Sequence, residues 1–66
     1  MIAPNIILLR RNTIIGKLRP CGARSESTAK TLAEASVRNP EGFAHITDWM
    51  VRKGYIFRTA DGRYYL

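Results

Sequence analysis

The chain has 66 residues, with 11 Lys and Arg against 5 Asp and Glu, and its formal net charge is +6. This length leaves room for one domain with a thin core. The single cysteine, Cys21, excludes an internal disulfide and fits a reducing cytoplasm. No apolar run approaches the roughly 20 residues of a membrane-spanning helix, so we expect a soluble cytoplasmic protein without a membrane partner.

The positive charge is concentrated in the first third of the chain. Residues 1–25 carry five basic side chains and no acidic one, whereas residues 26–66 carry six basic and five acidic side chains. An excess of this kind favours a polyanionic partner.

Residues 5–18 predict an amphipathic first helix. Its apolar residues project to one side and most of its polar residues to the other: Ile7, Leu8, Ile14, Ile15 and Leu18 against Arg10, Asn12, Thr13 and Lys17. An alternative stays open at this stage, because isoleucine suits strands equally well. In that alternative, strands at 6–9 and 14–18 form a hairpin around an Arg-Arg-Asn-Thr turn.

Two further helices are predicted, over 28–36 and 40–53. The first has Ser27 or Thr28 as its cap and contains mostly good helix formers. The second starts at Asn39-Pro40-Glu41, which combines a side-chain cap, a proline at the first helical position and an acid near the positive end of the helix dipole. Its apolar stripe, at three- and four-residue intervals, consists of Phe43, Ile46, Trp49 and Met50. Two cations and a left-handed cap at Gly54 end it.

The last residues, 55–66, predict a β-hairpin. Two aromatic-rich runs, Tyr55-Ile56-Phe57 and Tyr64-Tyr65-Leu66, flank the turn sequence Ala60-Asp61-Gly62. A lone hairpin is unstable in water, so the helices must cover one of its faces. The sequence therefore predicts an α+β fold of three helices and a C-terminal two-stranded hairpin.

One stretch carries a resemblance to a known family, residues 27–66, which read STAKTLAEASVRNPEGFAHITDWMVRKGYIFRTADGRYYL. The TAKTLAEA segment, the capped third helix, the helix-ending KGYI and the terminal hairpin together resemble the winged helix-turn-helix superfamily of bacterial and phage regulators. The resemblance implies that residues 1–66 form one winged-helix domain. It also implies that the third helix enters the DNA major groove while the hairpin, the wing, touches the backbone or the minor groove.

The resemblance and the helical projection together define the candidate DNA contacts. His45 and Arg52 suit base edges or phosphates, and Ala44 or Thr47 suits a thymine methyl group. Cations at the wing and near the helix starts suit phosphates. The full candidate set is Lys30, Arg38, Asn39, Ala44, His45, Thr47, Arg52, Arg58 and Arg63. For Asn39 the role of a simple helix cap is favoured over a DNA contact, and the acids Glu41 and Asp48 on the same face repel phosphates.

Enzyme chemistry has no support in the sequence. With one histidine, one cysteine and scattered carboxylates, neither a nucleophile–base pair nor a metal-ligand set can be assembled. We therefore expect no cofactor and no small-molecule substrate. The leading hypothesis is a sequence-specific transcriptional regulator that binds double-stranded DNA at the nucleoid, as a homodimer or at repeated sites. The alternative is a winged-helix module that binds a protein partner without reading DNA.

Overall fold

A computed structural model describes residues 6–66. Two α-helices, α1 (Ile6–Leu18) and α2 (Ala44–Lys53), precede two short strands, β1 (Phe57–Arg58) and β2 (Tyr64–Tyr65), and a 3₁₀ turn (Glu26–Thr28) lies between the helices. The strands pair antiparallel, with Phe57 opposite Tyr65 and Arg58 opposite Tyr64. Within these residues the fold is thus α+β with two helices and a two-stranded hairpin. Neither helix has the length and apolar content needed to cross a membrane.

The first segment is a helix, so the alternative of a hairpin over 6–18 is wrong. Asn5, the predicted first residue of this helix, lies outside the described residues. Ile14 and Leu18 are buried as predicted, but Arg10, predicted on the polar side, is buried with them. The reason is the spacing, because residues 10, 14 and 18 follow one another at four-residue intervals along the same helix face.

The helix predicted over 28–36 is absent, so the three-helix prediction is wrong for the described residues. Lys30 instead makes an isolated bridge to Tyr64, and a single helical turn follows. Thr31 and Glu34 cap this turn reciprocally: the Thr31 Oγ1 accepts from the Glu34 N–H at 3.1 Å, and the Glu34 Oε1 accepts from the Thr31 N–H at 2.9 Å. The turn ends at Ser36, whose φ of 64° reverses the chain.

Helix α2 starts at Ala44 rather than at the predicted residue 40. The Gly42 N–H donates to the Asn39 carbonyl at 3.0 Å, which closes a turn over 39–42 instead of a helical start. Asn39 and Phe43 both have left-handed backbones, with φ of 52° and 57°, and neither angle fits an α-helix. Phe43 therefore precedes the helix and is 41% exposed, so its prediction as part of the buried stripe is wrong.

The predicted end of this helix is confirmed, because Gly54 is its left-handed C-cap with φ of 80°. The chain then enters the hairpin, whose turn at 59–62 closes with the Gly62 N–H donating to the Thr59 carbonyl at 3.2 Å. β2 pairs with β1 along one edge and with Lys30 along the other. Two backbone hydrogen bonds of 2.9 and 2.7 Å join Lys30 and Tyr64. The hairpin is thereby attached to the segment between the helices.

The core lies between the two helices, the 31–37 segment and the start of the hairpin. Its largest fully buried side chains are Ile14, Leu18, Ile46, Met50 and Ile56. The cluster is small, as expected for a chain of this length, so each of these side chains carries a large share of the hydrophobic stabilisation.

Candidate nucleic-acid interface

The solvent-facing side of α2 is the first part of the candidate interface. Ile46 and Met50 point into the core, and this fixes Ala44, His45, Asp48 and Arg52 on the exposed side. Three of the predicted contacts, Ala44, His45 and Arg52, are therefore accessible to a partner. Glu41, in the turn before the helix, is exposed as well.

Thr47, predicted at the border of this face, is only 4% exposed. Its hydroxyl is buried and has no hydrogen-bond partner within residues 6–66. Thr47 lines an open groove of about 420 Å³ between α2, the 31–33 segment and the hairpin, which we call the α2–hairpin groove. A partner can contact Thr47 only by entering this groove.

Arg58 also lines the α2–hairpin groove, and its charge is already used within the protein. Its Nη2 forms an ion pair with the Asp48 carboxylate, and its Nε donates to the Tyr64 hydroxyl at 3.1 Å. The guanidinium also lies over the Tyr64 ring, 5.3 Å from its centre. The bond to Asp48 and then that to Tyr64 raise the pKa of Arg58. The ion pair with Asp48 joins the hairpin to α2.

Arg63, the second predicted wing arginine, is held by two carboxylates. Its Nη1 lies 3.2 Å from Glu34 Oε1 and its Nε lies 3.1 Å from Asp61 Oδ2. The Thr31 backbone N–H lowers the pKa of Glu34, and the Thr59 hydroxyl lowers the pKa of Asp61. Both acids therefore stay ionised at neutral pH, and the hairpin side of the interface is close to neutral.

Three of the predicted cations make no ion pair within residues 6–66: Lys30, Arg38 and Arg52. They do not lie together. Lys30 is half-buried beside Tyr64, and Arg52 is on the exposed side of α2. Arg38 lines a different groove, against α1, together with Asn39. The structure thus brings Ala44, Thr47 and Arg58 together and separates Arg38 and Asn39 from them.

Asn39 is not the cap of α2, because the helix starts five residues later. Its carbonyl accepts from the Gly42 N–H and from the Arg10 side chain. Its side chain covers Gly42 so closely that a Cβ atom added there would lie 2.1 Å from the Asn39 Nδ2. Asn39 therefore shapes the turn that precedes α2.

Arg10 is the residue that the sequence reasoning missed. It is 8% exposed, and its guanidinium donates to the carbonyls of Arg38, Asn39 and Gly42 at 2.7, 2.8 and 3.2 Å. It therefore ties α1 to the turn that places the start of α2. The available signal was its four-residue spacing from Ile14.

Comparison with protein-family models, with curated proteins and with solved structures finds no match to this chain. Among residues 6–66, no group of three or more His, Cys, Asp and Glu side chains is placed to hold a metal ion.

Proposed function

We propose that the protein is a small transcriptional regulator of the winged-helix class that binds double-stranded DNA with α2 and the hairpin. The order of its elements supports this. A first helix is followed by a strand-like bridge at Lys30, a single capped turn, a helix with a free outer side, and a hairpin that returns to pair with Lys30. The observation that carries the proposal is that the free side of α2 adjoins the hairpin through the Asp48–Arg58 contact.

In this proposal α2 enters the major groove and presents Ala44, His45 and Arg52 to base edges or phosphates. Arg58 exchanges its contact with Asp48 for a DNA phosphate. The net charge of +6 draws the protein to the polyanion and makes the affinity dependent on salt. A single module of this size offers little contact area, so specific binding at the nucleoid requires a homodimer or repeated half-sites.

The second candidate function is a protein-interaction module. The observation that favours it is the internal ion pairing of Arg58 and Arg63, which leaves the α2 and hairpin side nearly neutral. In this case α2 contacts a partner protein and DNA is not bound.

Fluorescence anisotropy with a labelled generic duplex at several salt concentrations tests the proposal. We expect binding at low salt that weakens as salt rises, because condensed counterions are released on binding. Replacing Arg52 with alanine is expected to reduce the slope of log K against log salt by about 0.9, the value for one lost phosphate contact. Arg24→Ala, at an exposed arginine between the helices, is the matched control. Absence of duplex binding at low salt would refute the proposal and favour the second candidate.

A charge-neutralising variant gives a sharper test. Asp48→Asn removes a carboxylate from the α2 face and frees Arg58, so we expect DNA affinity to rise on the order of threefold to tenfold at low salt. Glu26→Gln removes the same charge from the exposed 3₁₀ turn and serves as the control. Equal gains for the two variants would show that only net charge matters and that α2 is not at the contact.

A further inference from the structure

A second groove, lined in part by Arg10, lies between α1 and the segment that precedes α2. We call it the α1 groove; its volume is about 620 Å³, within the range of roughly 300–1,000 Å³ that ligand pockets have. The residues that matter here are Ile6, Leu9, Arg10, Lys17, Arg38 and Phe43. None of the predicted contacts on α2 or on the hairpin belongs to it.

The large apolar side chains of this groove are exposed to solvent. Ile6 is 54% exposed, Leu9 is 51% exposed and Phe43 is 41% exposed. Phe43 is held with a positive φ of 57°, a backbone that a bulky residue adopts only when its surroundings impose it. Its ring lies against the Arg10 guanidinium, 5.4 Å from the carbon at the centre of that group.

The charged side chains that line the groove are all cationic. Lys17 and Arg38 make no ion pair within residues 6–66, and no carboxylate lines the groove. Arg10 adds a buried guanidinium whose hydrogen bonds go only to neutral carbonyls and whose Nε has no partner among the described residues. Burial lowers the pKa of Arg10, but an arginine remains charged at neutral pH. A buried charge without a counter-charge is costly, so an anion in this groove is stabilised.

The charges also indicate which occupant fits. A second copy of the chain carries +6, and Glu34, Asp48 and Asp61, three of its five acids, are engaged with its own arginines. A nucleic-acid backbone would satisfy Lys17 and Arg38 but would leave the apolar side chains without a partner. An acidic segment with large apolar side chains satisfies both parts.

We propose that the α1 groove is a docking site for an acidic peptide segment of a partner protein, whose large apolar side chains contact Ile6, Leu9 and Phe43 while its carboxylates pair with Lys17 and Arg38.

The test is anisotropy with a fluorescein-labelled peptide about 16 residues long, with leucines at helical three- and four-residue spacing and glutamates elsewhere. Two matched peptides replace all glutamates by glutamine or all leucines by serine. The full-length protein is compared with K17E/R38E, and R19E/R24E makes the same charge change at exposed residues outside the groove. Leu9→Ser is paired with Leu8→Ser, an exposed leucine that does not line the groove. Circular dichroism verifies that each variant is folded.

We expect saturable binding of the Leu/Glu peptide, weakened about tenfold or more by K17E/R38E and less than about twofold by R19E/R24E. Leu9→Ser is expected to weaken binding about threefold to tenfold and Leu8→Ser to leave it unchanged, and both matched peptides should bind poorly. The proposal is overturned if the peptide does not bind, or if each variant and its control lose affinity equally. It is also overturned if K17E/R38E abolishes duplex binding while the peptide shows no saturable binding, because the groove is then a phosphate site.

Discussion

Replacing Arg10 with methionine removes the contact between α1 and the turn before α2. Methionine has a similar length and helix propensity, so α1 itself should persist. The substitution leaves three carbonyls, those of Arg38, Asn39 and Gly42, without their guanidinium donor. We therefore expect a loss of stability that starts at this turn and extends to the position of α2.

The size of the loss follows from two opposing contributions. A hydrogen bond from a charged donor contributes about 1.5–3 kcal/mol, and three of them lose their donor. Water can replace part of this because Arg38 and Asn39 are exposed, and removing a buried charge relieves its desolvation cost. We expect a net loss of about 2 kcal/mol, from a total free energy of unfolding of roughly 3–10 kcal/mol for a chain of this size.

Urea denaturation followed by the fluorescence of Trp49, which packs against the core and lies 5.4 Å from the Tyr55 ring, measures this loss. With an m-value of about 1 kcal/mol/M, the midpoint should fall by about 2 M. Arg11→Met is the control. Arg11 is the neighbouring arginine, and its guanidinium lies 5.2 Å from the centre of the Tyr55 ring, a contact of about 0.5–1 kcal/mol. If both variants unfold at the same urea concentration, Arg10 does not hold the turn and the reasoning is wrong.

Three other predictions concern stability. Ile14→Val should cost about 0.5–1.5 kcal/mol in a thermal melt because Ile14 is fully buried, and Ile15→Val, at a half-buried position, should cost less. Ser36→Gly should raise the free energy of unfolding by about 1 kcal/mol because the φ of 64° strains a serine, whereas Ala33→Gly should lower it by about the same amount. The pKa of Glu34 is lowered in the folded state, so its stabilisation is present above the unfolded pKa of about 4.3 and is lost as the pH falls through the lower folded value. Glu34→Gln should therefore weaken the dependence of the melting temperature on pH below about pH 5; an unchanged acid profile would contradict this.

The elements that could be predicted from the sequence are those with local signals. The four-residue spacing of Ile14 and Leu18 predicts α1, and Gly54 predicts the end of α2. The dipeptide Asp61-Gly62 predicts the hairpin turn. In the structure Gly62 has the left-handed backbone that glycine favours, with φ of 82°. Each of these signals depends on the conformation of a few neighbouring residues and not on contacts with distant parts of the chain.

The absence of a helix over 28–36 could not be predicted from the local sequence, because the conformation of this segment depends on its pairing with a distant strand. Lys30 pairs with Tyr64, 34 positions later in the sequence, and this pairing takes the first residues of the segment out of a helix. What remains is one turn between the Thr31–Glu34 capping contacts and Ser36. Good helix formers such as Ala33 set only a weak preference, which tertiary contacts override.

The sequence predicts which α2 side chains of the candidate site are exposed. It does not predict which of the site's charged side chains are paired with each other. The exposed positions of Ala44, His45 and Arg52 follow from helix periodicity alone. The ion pairs Arg58–Asp48 and Arg63–Glu34 join residues that are 10 and 29 positions apart, and no local pattern indicates them. The hydrogen bonds of Arg10 have the same origin, because their acceptors lie 28 to 32 residues away, whereas its burial follows from its four-residue spacing from Ile14.

The two proposed sites differ in the internal ion pairs that an anionic partner must break before it binds. On the α2 side, a phosphate that binds Arg58 or Arg63 must first compete with Asp48, or with Glu34 and Asp61, so the net charge of +6 overstates the attraction there. On the α1 side, Lys17 and Arg38 have no internal competitor among the described residues. An anion consequently gains more per contact from Lys17 and Arg38 than from Arg58 and Arg63, whose carboxylate partners it must displace. Duplex binding that depended on Lys17 and not on Arg52 would place the DNA on the α1 side, against the arrangement proposed for α2.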